Sequence, residues 1–363
     1  MYDLSLRGFS HDDVQKMLRT NRTVTYRYEL LDKEDVTIGS VSATGSVDFN
    51  ADARVKRAAS LNIKEAKDVD FLSDRIKPFF CLHTSAGVLD FPLGVFLLSS
   101  PSRSAGKGIV SRTIDCYDKL QVLVDDAFDS RWYIPKGSNY IGAINSILES
   151  AGITMAAIDA CEKESQQDIE FAVGTPKIEA INKLLKAINY TDLYVDAYGV
   201  FRASEYVDPQ IRAIETTYMT DKRSIVLPGA EEMLDVFNAP NKIVRYLENA
   251  EREQMIATAV NTDPASKLST VSRGRVIVDV EAVFDIADQA TLDAYVQRVA
   301  AEKKIYQYVK FETAVVPNHE FLDCLYVDNK DLAVSGKYIE TAWHLDMEVG
   351  GTMSHTARKA VSI

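Results

Sequence analysis

Five histidines and four cysteines are the residues of this sequence best suited to metal or nucleophilic chemistry. Two of the histidines, His344 and His355, stand in the closing stretch GKYIETAWHLDMEVGGTMSHTARKAV (336–361), on either side of Gly350-Gly351. Two imidazoles on one hairpin could share a metal ion if the arms brought them face to face. Counted from Gly351 they lie seven residues back and four forward, so they are not mirror-paired, and a shared site would need a bulged register. The bland alternative is a hairpin of two antiparallel strands around EVGG, in which both glycines permit the positive φ of a tight turn. The alternation of Tyr338, Glu340, Ala342 and Trp343 breaks near the tryptophan, which predicts a bulge or a strand buried on both faces there.

Other motifs fail on geometry. SAGKG (104–108) resembles part of a phosphate-binding loop, but Pro101 stands where the first glycine belongs and Gly108 where a magnesium-binding Ser or Thr belongs; a glycine-rich hairpin tip is expected instead. NHEFLDC (318–324) begins like a zinc-protease helix, yet Asp323 occupies the place of the second histidine, and Pro317 and the β-like residues that follow argue against a helix. No GxSxG or GxGxxG loop is present. With 53 acidic residues, carboxylate pairs have no anchor in the sequence. His11 beside Asp12 and Asp13 reads as an exposed first-turn residue, and His83 as a strand-end residue. Trp132 and Trp343 read as core or subunit-contact aromatics. Cys81, Cys116, Cys161 and Cys324 form no CxxC pair. No catalytic, cofactor-binding or metal-ligating residue is assigned, and no cofactor is expected.

The elements that would position these residues follow from periodicity and caps. Ser10 caps a first helix, with Asp13 at its third position, Phe9 and Val14 as a staple, and Val14, Met17 and Leu18 buried. Strand-like runs follow at 23–31, 58–65, 93–100 and 109–118. GSNYIGAINSILESAG (137–152) is a helix with Ser138 as cap, Ile141, Ile144, Ile147 and Leu148 buried, and Gly152 as its left-handed end. TPKIEAINKLLKAIN (175–189) is a second, with Thr175 as cap and Pro176 in the first helical position. Asp196 and Gly199 frame a turn between two short strands. Pro228-Gly229 marks a boundary, and DQATLDAYVQRVAAEKK (288–304) a third helix capped by Asp288 with Leu292, Tyr295, Val296 and Val299 inward, flanked by strands. The expected fold class is α+β, mainly β, with a mostly β unit at 1–130, an α+β unit at 131–225 and a β unit with one long helix at 226–363.

At 363 residues the chain is long enough for two or three domains, and 46% hydrophobic with 26% charged residues places it among ordinary globular proteins. A formal charge of −12 argues against a phosphate-binding clamp and so against sequence-specific nucleic-acid binding. The densest basic stretch, RVKRAAS (54–60), reads as a solvated strand or loop end. No stretch reaches the ~18 apolar residues of a membrane span, and the N-terminus lacks a secretory pattern. Synthesis in a reducing cytoplasm is expected.

The order of these elements resembles the hub proteins at the distal end of phage tails, in siphophages and in contractile tails and prophage-derived particles. The resemblance is clearest in NKIVRYLENAE, ATAVNTDPAS, GRVIVDVEAVF, DQATLDAYVQRVAAEKK, YVKFETAVVPNH, FLDCLYVD and the closing stretch (240–361). GSNYIGAINSILESAGI with IEAINKLLKAINYTDLYVDAYGVFRAS is similar to the hub's middle unit, and LGVFLLSSPSR with RTIDCYDKL to the end of its first barrel. The resemblance implies barrel-like β domains joined by α+β insertions. It also implies a non-enzymatic homotrimer at the virion's tail tip or baseplate, made in the host cytoplasm. That ring would close the tail tube and meet a distal tail protein, the tape-measure protein, and fibre, tip or spike proteins. Longer relatives carry a lytic domain after the hub, and the end at Ile363 leads to the expectation that none follows here. The alternatives are a tail-associated cell-wall or polysaccharide hydrolase, and a carbohydrate-binding receptor module. A ring would need a heterologous interface, and its lumen is expected to be acidic.

Overall fold

The structure is a computed structural model of the chain and describes residues 1–64, 69–106, 109–222, 224–234, 237, 239–247, 255–283, 285–303 and 307–360. The fold is α+β and mainly β.

The opening helix, His11–Leu18, forms as its residues dictate. Ser10 Oγ accepts from the Asp13 N–H, the Asp13 carboxylate accepts from the Ser10 N–H, and Val14 and Leu18 are buried. It packs on the first of two β cores. The main sheet draws strands from both ends of the chain. From one edge its order is Glu231–Leu234, Gln307–Ala314, Thr352–Lys359, Val334–Asp346, Ala43–Asn50, Arg57–Lys64, Ile109–Asp118, Phe96–Leu98, Arg75–Thr84, Thr23–Leu31 and Thr37–Val41. Thr216–Met219 and Cys324–Asn329 branch from it, the latter pairing with the first half of Val334–Asp346. The path stays open: its two end strands each have one partner among the described residues, and both are largely exposed.

Val334–Asp346 is the pivot. Its first half pairs with Cys324–Asn329, and its second half pairs with Ala43–Asn50, matching Trp343 to Phe49 and Leu345 to Val47. The register against Thr352–Lys359 shifts between Glu340 and Ala342, the bulge that the broken alternation predicts. The bulge separates two apolar cores. Trp343, Leu345 and Met353 belong to the core built on Val47, Phe49, Leu61, Phe80 and Phe96, while Val334, Tyr338 and Ala357 belong to the one built on Tyr218, Phe311 and Leu325. In the turn of this hairpin only Gly350 takes a positive φ, 80°.

Between Ile109–Asp118 and Thr216–Met219 the chain builds a unit with its own core, from Leu120 to Ala203. Its helix Tyr140–Ser150 buries Ile141, Ile144, Ile147 and Leu148, and Gly152 follows it at φ 73°. Asn139, not Ser138, is the cap, its Oδ1 accepting from the Gly142 N–H at 2.9 Å. Pro176 is likewise the cap of Lys177–Ala187 rather than its first helical residue, because its extended backbone sends the Lys177 N–H to the Asp126 carbonyl of a neighbouring segment. Asp196 and Gly199 turn the chain between Tyr194–Val195 and Phe201–Ala203.

A further unit interrupts the paired strands Glu231–Leu234 and Gln307–Ala314. In it the sheet Ile256–Val260, Lys242–Leu247, Val278–Val283 covers helix Gln289–Lys303 with one face. Asp288 caps that helix through the Thr291 N–H at 2.6 Å, and Leu292, Tyr295, Val296 and Val299 are buried. The other face of the sheet leaves Ile256, Val260, Val278 and Val280 exposed. No described helix is long and apolar enough to cross a membrane.

Candidate functional site

The hairpin separates the two closing histidines. Trp343 pairs with His355 and His344 with Ser354, so the imidazoles project to opposite faces. His344 is half-exposed between Asp48 (2.7 Å) and Asp346 (3.2 Å). Burial lowers the affinity of its ring for protons, but these two carboxylates outweigh that and raise its pKa. His11 is half-buried rather than fully exposed, its Nδ1 accepting from the Leu4 N–H, while His83 is an exposed strand-end residue 2.8 Å from Thr25 Oγ1.

His355 points inward and meets two residues that sequence reasoning did not join to it. Its Nδ1 lies 2.5 Å from Glu340 Oε1, and the other carboxylate oxygen, Oε2, lies 2.5 Å from His319 Nδ1. The far nitrogens are held by hydroxyls: His355 Nε2 is 2.9 Å from Thr313 Oγ1 and His319 Nε2 is 2.6 Å from the Tyr218 hydroxyl. A carboxylate can only accept, so each Nδ1 carries the proton it gives to Glu340. The side chains of His319, Glu340 and His355 have no solvent exposure at all.

Electrostatics divide the roles. Burial disfavours the His319 imidazolium, but Glu340 beside it more than compensates and lifts its pKa well above the usual imidazole value. Burial also raises the Glu340 carboxyl, and the two imidazoles reverse this and hold it below its usual range. For His355 burial prevails, its pKa falls, and the ring is neutral. The arrangement is an imidazolium and an imidazole bridged by one carboxylate. On the other side of His319, Asp323 Oδ2 lies 3.2 Å from Nδ1, and Asp323 also pairs with the Met1 amino group, which Glu215 holds at 2.5 Å.

Three segments bring these groups together. Glu340 sits on the bulge, His355 on its partner strand, and His319 on the irregular 315–323 stretch. Asn318 anchors that stretch on the Tyr2 carbonyl, and Leu322 turns it at φ 56°. NHEFLDC is accordingly a turn and no helix, yet its His and Asp still meet.

One residue on, Glu320 enters a second buried polar group. Arg57 Nη2 donates to Glu320 Oε2 at 2.8 Å, Arg57 Nη1 to the Leu93 carbonyl at 2.8 Å, and the Ala197 N–H to Glu320 Oε1 at 2.8 Å. The solvated reading of RVKRAAS fails here: Arg57 is buried because Glu320 matches it beside the stacked Phe49 and Trp343 rings, and Lys56 because its Nζ donates to the Ala51 and Ala53 carbonyls. Burial pushes the Glu320 carboxyl up to about 7 and that of Asp118, which accepts from the Arg57 N–H, up to about 6. Beside this junction opens a cleft of about 420 Å³ lined by Tyr2, Tyr194, Tyr198, Tyr206, Arg202 and Glu320, among others.

The remaining candidates are structural in their contacts. Trp343 is buried and stacked on Phe49, and Trp132 is half-buried and stacked on Phe128. Ser102–Gly106 and Ile109–Asp118 form a hairpin, with residues 107 and 108 of SAGKG outside the described residues. All four cysteines are free thiols.

No protein-family model matches the sequence, and no curated protein does. Solved structures do match. A tail protein from Neisseria meningitidis MC58 aligns with a TM-score of 0.66 at 11% identity, covering 92% of this chain and 97% of that one. The 43 kDa tail protein of prophage MuSo2 from Shewanella oneidensis aligns at 0.63 and 10% identity over 93% and 98% of the two chains. Prophage tail protein gp18 from Listeria monocytogenes EGD-e aligns at 0.57 and 10% identity over 92% and 94%. Almost end to end, the chain has the fold of phage tail proteins.

Proposed function

We propose that the chain is a structural, non-enzymatic hub subunit of a phage-type tail tip or baseplate. In this reading three copies form a ring that closes the tail tube, meets the distal tail and tape-measure proteins, and carries tip, fibre or spike proteins. The observation that carries the proposal is the near-complete two-way coverage by three tail proteins, which leaves no large unit of this chain unaccounted for. Two features support assembly. The main sheet ends in two exposed strands, and the three-stranded sheet presents an apolar outer face, both of which a neighbouring copy could cover. The non-enzymatic reading is supported by the sealing of the His–Glu–His cluster, whose side chains have no solvent exposure. On this reading the units divide near 130 and 226.

The tyrosine-lined cleft is the observation that favours a second reading, a carbohydrate-binding module. Its rings are largely engaged already: Tyr2 packs edge-on against Tyr198, Tyr194 stacks on Phe321, and Arg298 covers Tyr206. A sugar platform needs an open aromatic face, so the structural reading is preferred. Native mass measurement is the test, with three chain masses expected. A stable monomer absent from tail particles, or clearing of bacterial cell walls in a zymogram, would overturn the proposal.

A further inference from the structure

The hydrogen-bonded cluster also gathers the atoms of a metal-ligand set. Ligand atoms of His319, Glu340 and His355 lie within 4.8 Å of one another. Both rings turn the same nitrogen, Nδ1, toward the centre and anchor the opposite one on a hydroxyl, Tyr218 or Thr313. That is how a metal-bound imidazole is held, with the outer N–H fixing tautomer and ring plane. Asp323 stands beside this set, outside it. Asp323 Oδ2 is 3.2 Å from His319 Nδ1 and is itself oriented by the Glu320 N–H at 2.8 Å.

We propose that this cluster is a buried structural site for a divalent transition metal, zinc being the best match, with His319, His355 and Glu340 as ligands. Two imidazoles and a carboxylate suit a borderline cation rather than magnesium or calcium, which prefer all-oxygen shells. Complete burial makes the site structural, since a catalytic zinc keeps a position open to substrate, and Asp323 is the nearest further carboxylate from which a fourth ligand would come. With bonds of about 2.0–2.1 Å, tetrahedral ligand atoms sit about 3.3 Å apart. In the metal-bound form His319 gives up its Nδ1 proton to solvent and His355 carries its own on Nε2, facing Thr313, so both rings are neutral with an outer N–H, and Glu340 withdraws by under an ångström from its 2.5 Å contacts. The ligands come from the 315–323 stretch, the bulged strand and its partner, so the ion would tie together the seam between the two β cores. Loading would accompany folding, because the ligand side chains have no solvent exposure in the folded chain.

The test uses the full chain, purified without metal-affinity steps. Elemental analysis is expected to find about one zinc per chain. After unfolding in denaturant with a chelator, refolding with one equivalent of zinc is expected to raise Tm by about 5 °C or more over refolding without it. His355→Asn is expected to lose both the metal and the zinc-dependent shift; should that variant fail to fold, the wild-type measurements decide alone. Substoichiometric metal in the purified chain, together with the same Tm with and without zinc, would overturn the proposal and leave a proton-bridged network.

Discussion

Glu340 is the residue on which the buried polar seam depends. In the metal-free chain, removing its charge leaves the His319 imidazolium unmatched in a dry site, so Glu340→Gln is expected to cost about 3 kcal/mol or more in urea unfolding with chelator at pH 7. Arg57→Met strands Glu320 in the same way and is expected to cost about 3 kcal/mol by the same assay. Glu320 also sets a pH dependence. Its folded pKa of about 7 lies above the ordinary glutamate value, so between about 4.5 and 7 the folded chain holds more protons than the unfolded one. Stability is then full below that window and falls as pH rises through it. Asp118, raised to about 6, and metal-free His319, raised by the neighbouring Glu340, act in the same direction at their own pH. Unfolding free energies from urea titrations between pH 5 and 8 should decline on the Glu320 account by on the order of 2 kcal/mol, and Glu320→Gln should flatten that slope. Little of this was legible in the sequence. Arg57 and Glu320 are 263 positions apart and Glu340 and His319 are 21 apart, so a basic run looked solvated and a His–Asp pair looked like a failed zinc helix. Local spacing carries no record of partners that only tertiary folding supplies.

Elements were more legible, since caps and periodicity act within a few residues. Ser10–Asp13, Asp288 and the apolar faces of the three longer helices emerge directly from pattern. The misplacements are single steps: Ser138 and Asn139 are both good caps, and only the fold chooses Asn139. Asn139→Ala should accordingly cost about 1 kcal/mol, and Ser138→Ala almost nothing, in thermal unfolding. The bulge was legible because a strand that must bury Glu340 and Trp343 cannot keep strict alternation. What no pattern revealed was the crowding around Gly45, where an added methyl would lie 1.9 Å from the Ser60 carbonyl oxygen. Gly45→Ala should force apart two paired central strands, at a cost of about 3 kcal/mol, visible as a loss of soluble yield.

At the scale of the whole molecule, the mainly β architecture follows from the density of short strands, whereas the interleaving of both chain ends in one sheet has no local signature. The exposed face of Ile256, Val260, Val278 and Val280 gives assembly a specific test. Val280→Asp should shift the native mass toward one chain while leaving Tm within about a degree, because the side chain is exposed in the isolated subunit. With a formal charge of −12, the inner surface of an imaged ring should be acidic, and a neutral or basic one would sink that expectation. The pairing of Val47 with Leu345 also carries a consequence for biosynthesis. Ala43–Asn50 leaves the ribosome some 300 residues before the strand that completes it, a delay of tens of seconds at typical elongation rates. Until then one side of the first β core lacks a wall, which makes the nascent chain a client for chaperones and ties the folding of its first third to the synthesis of its last.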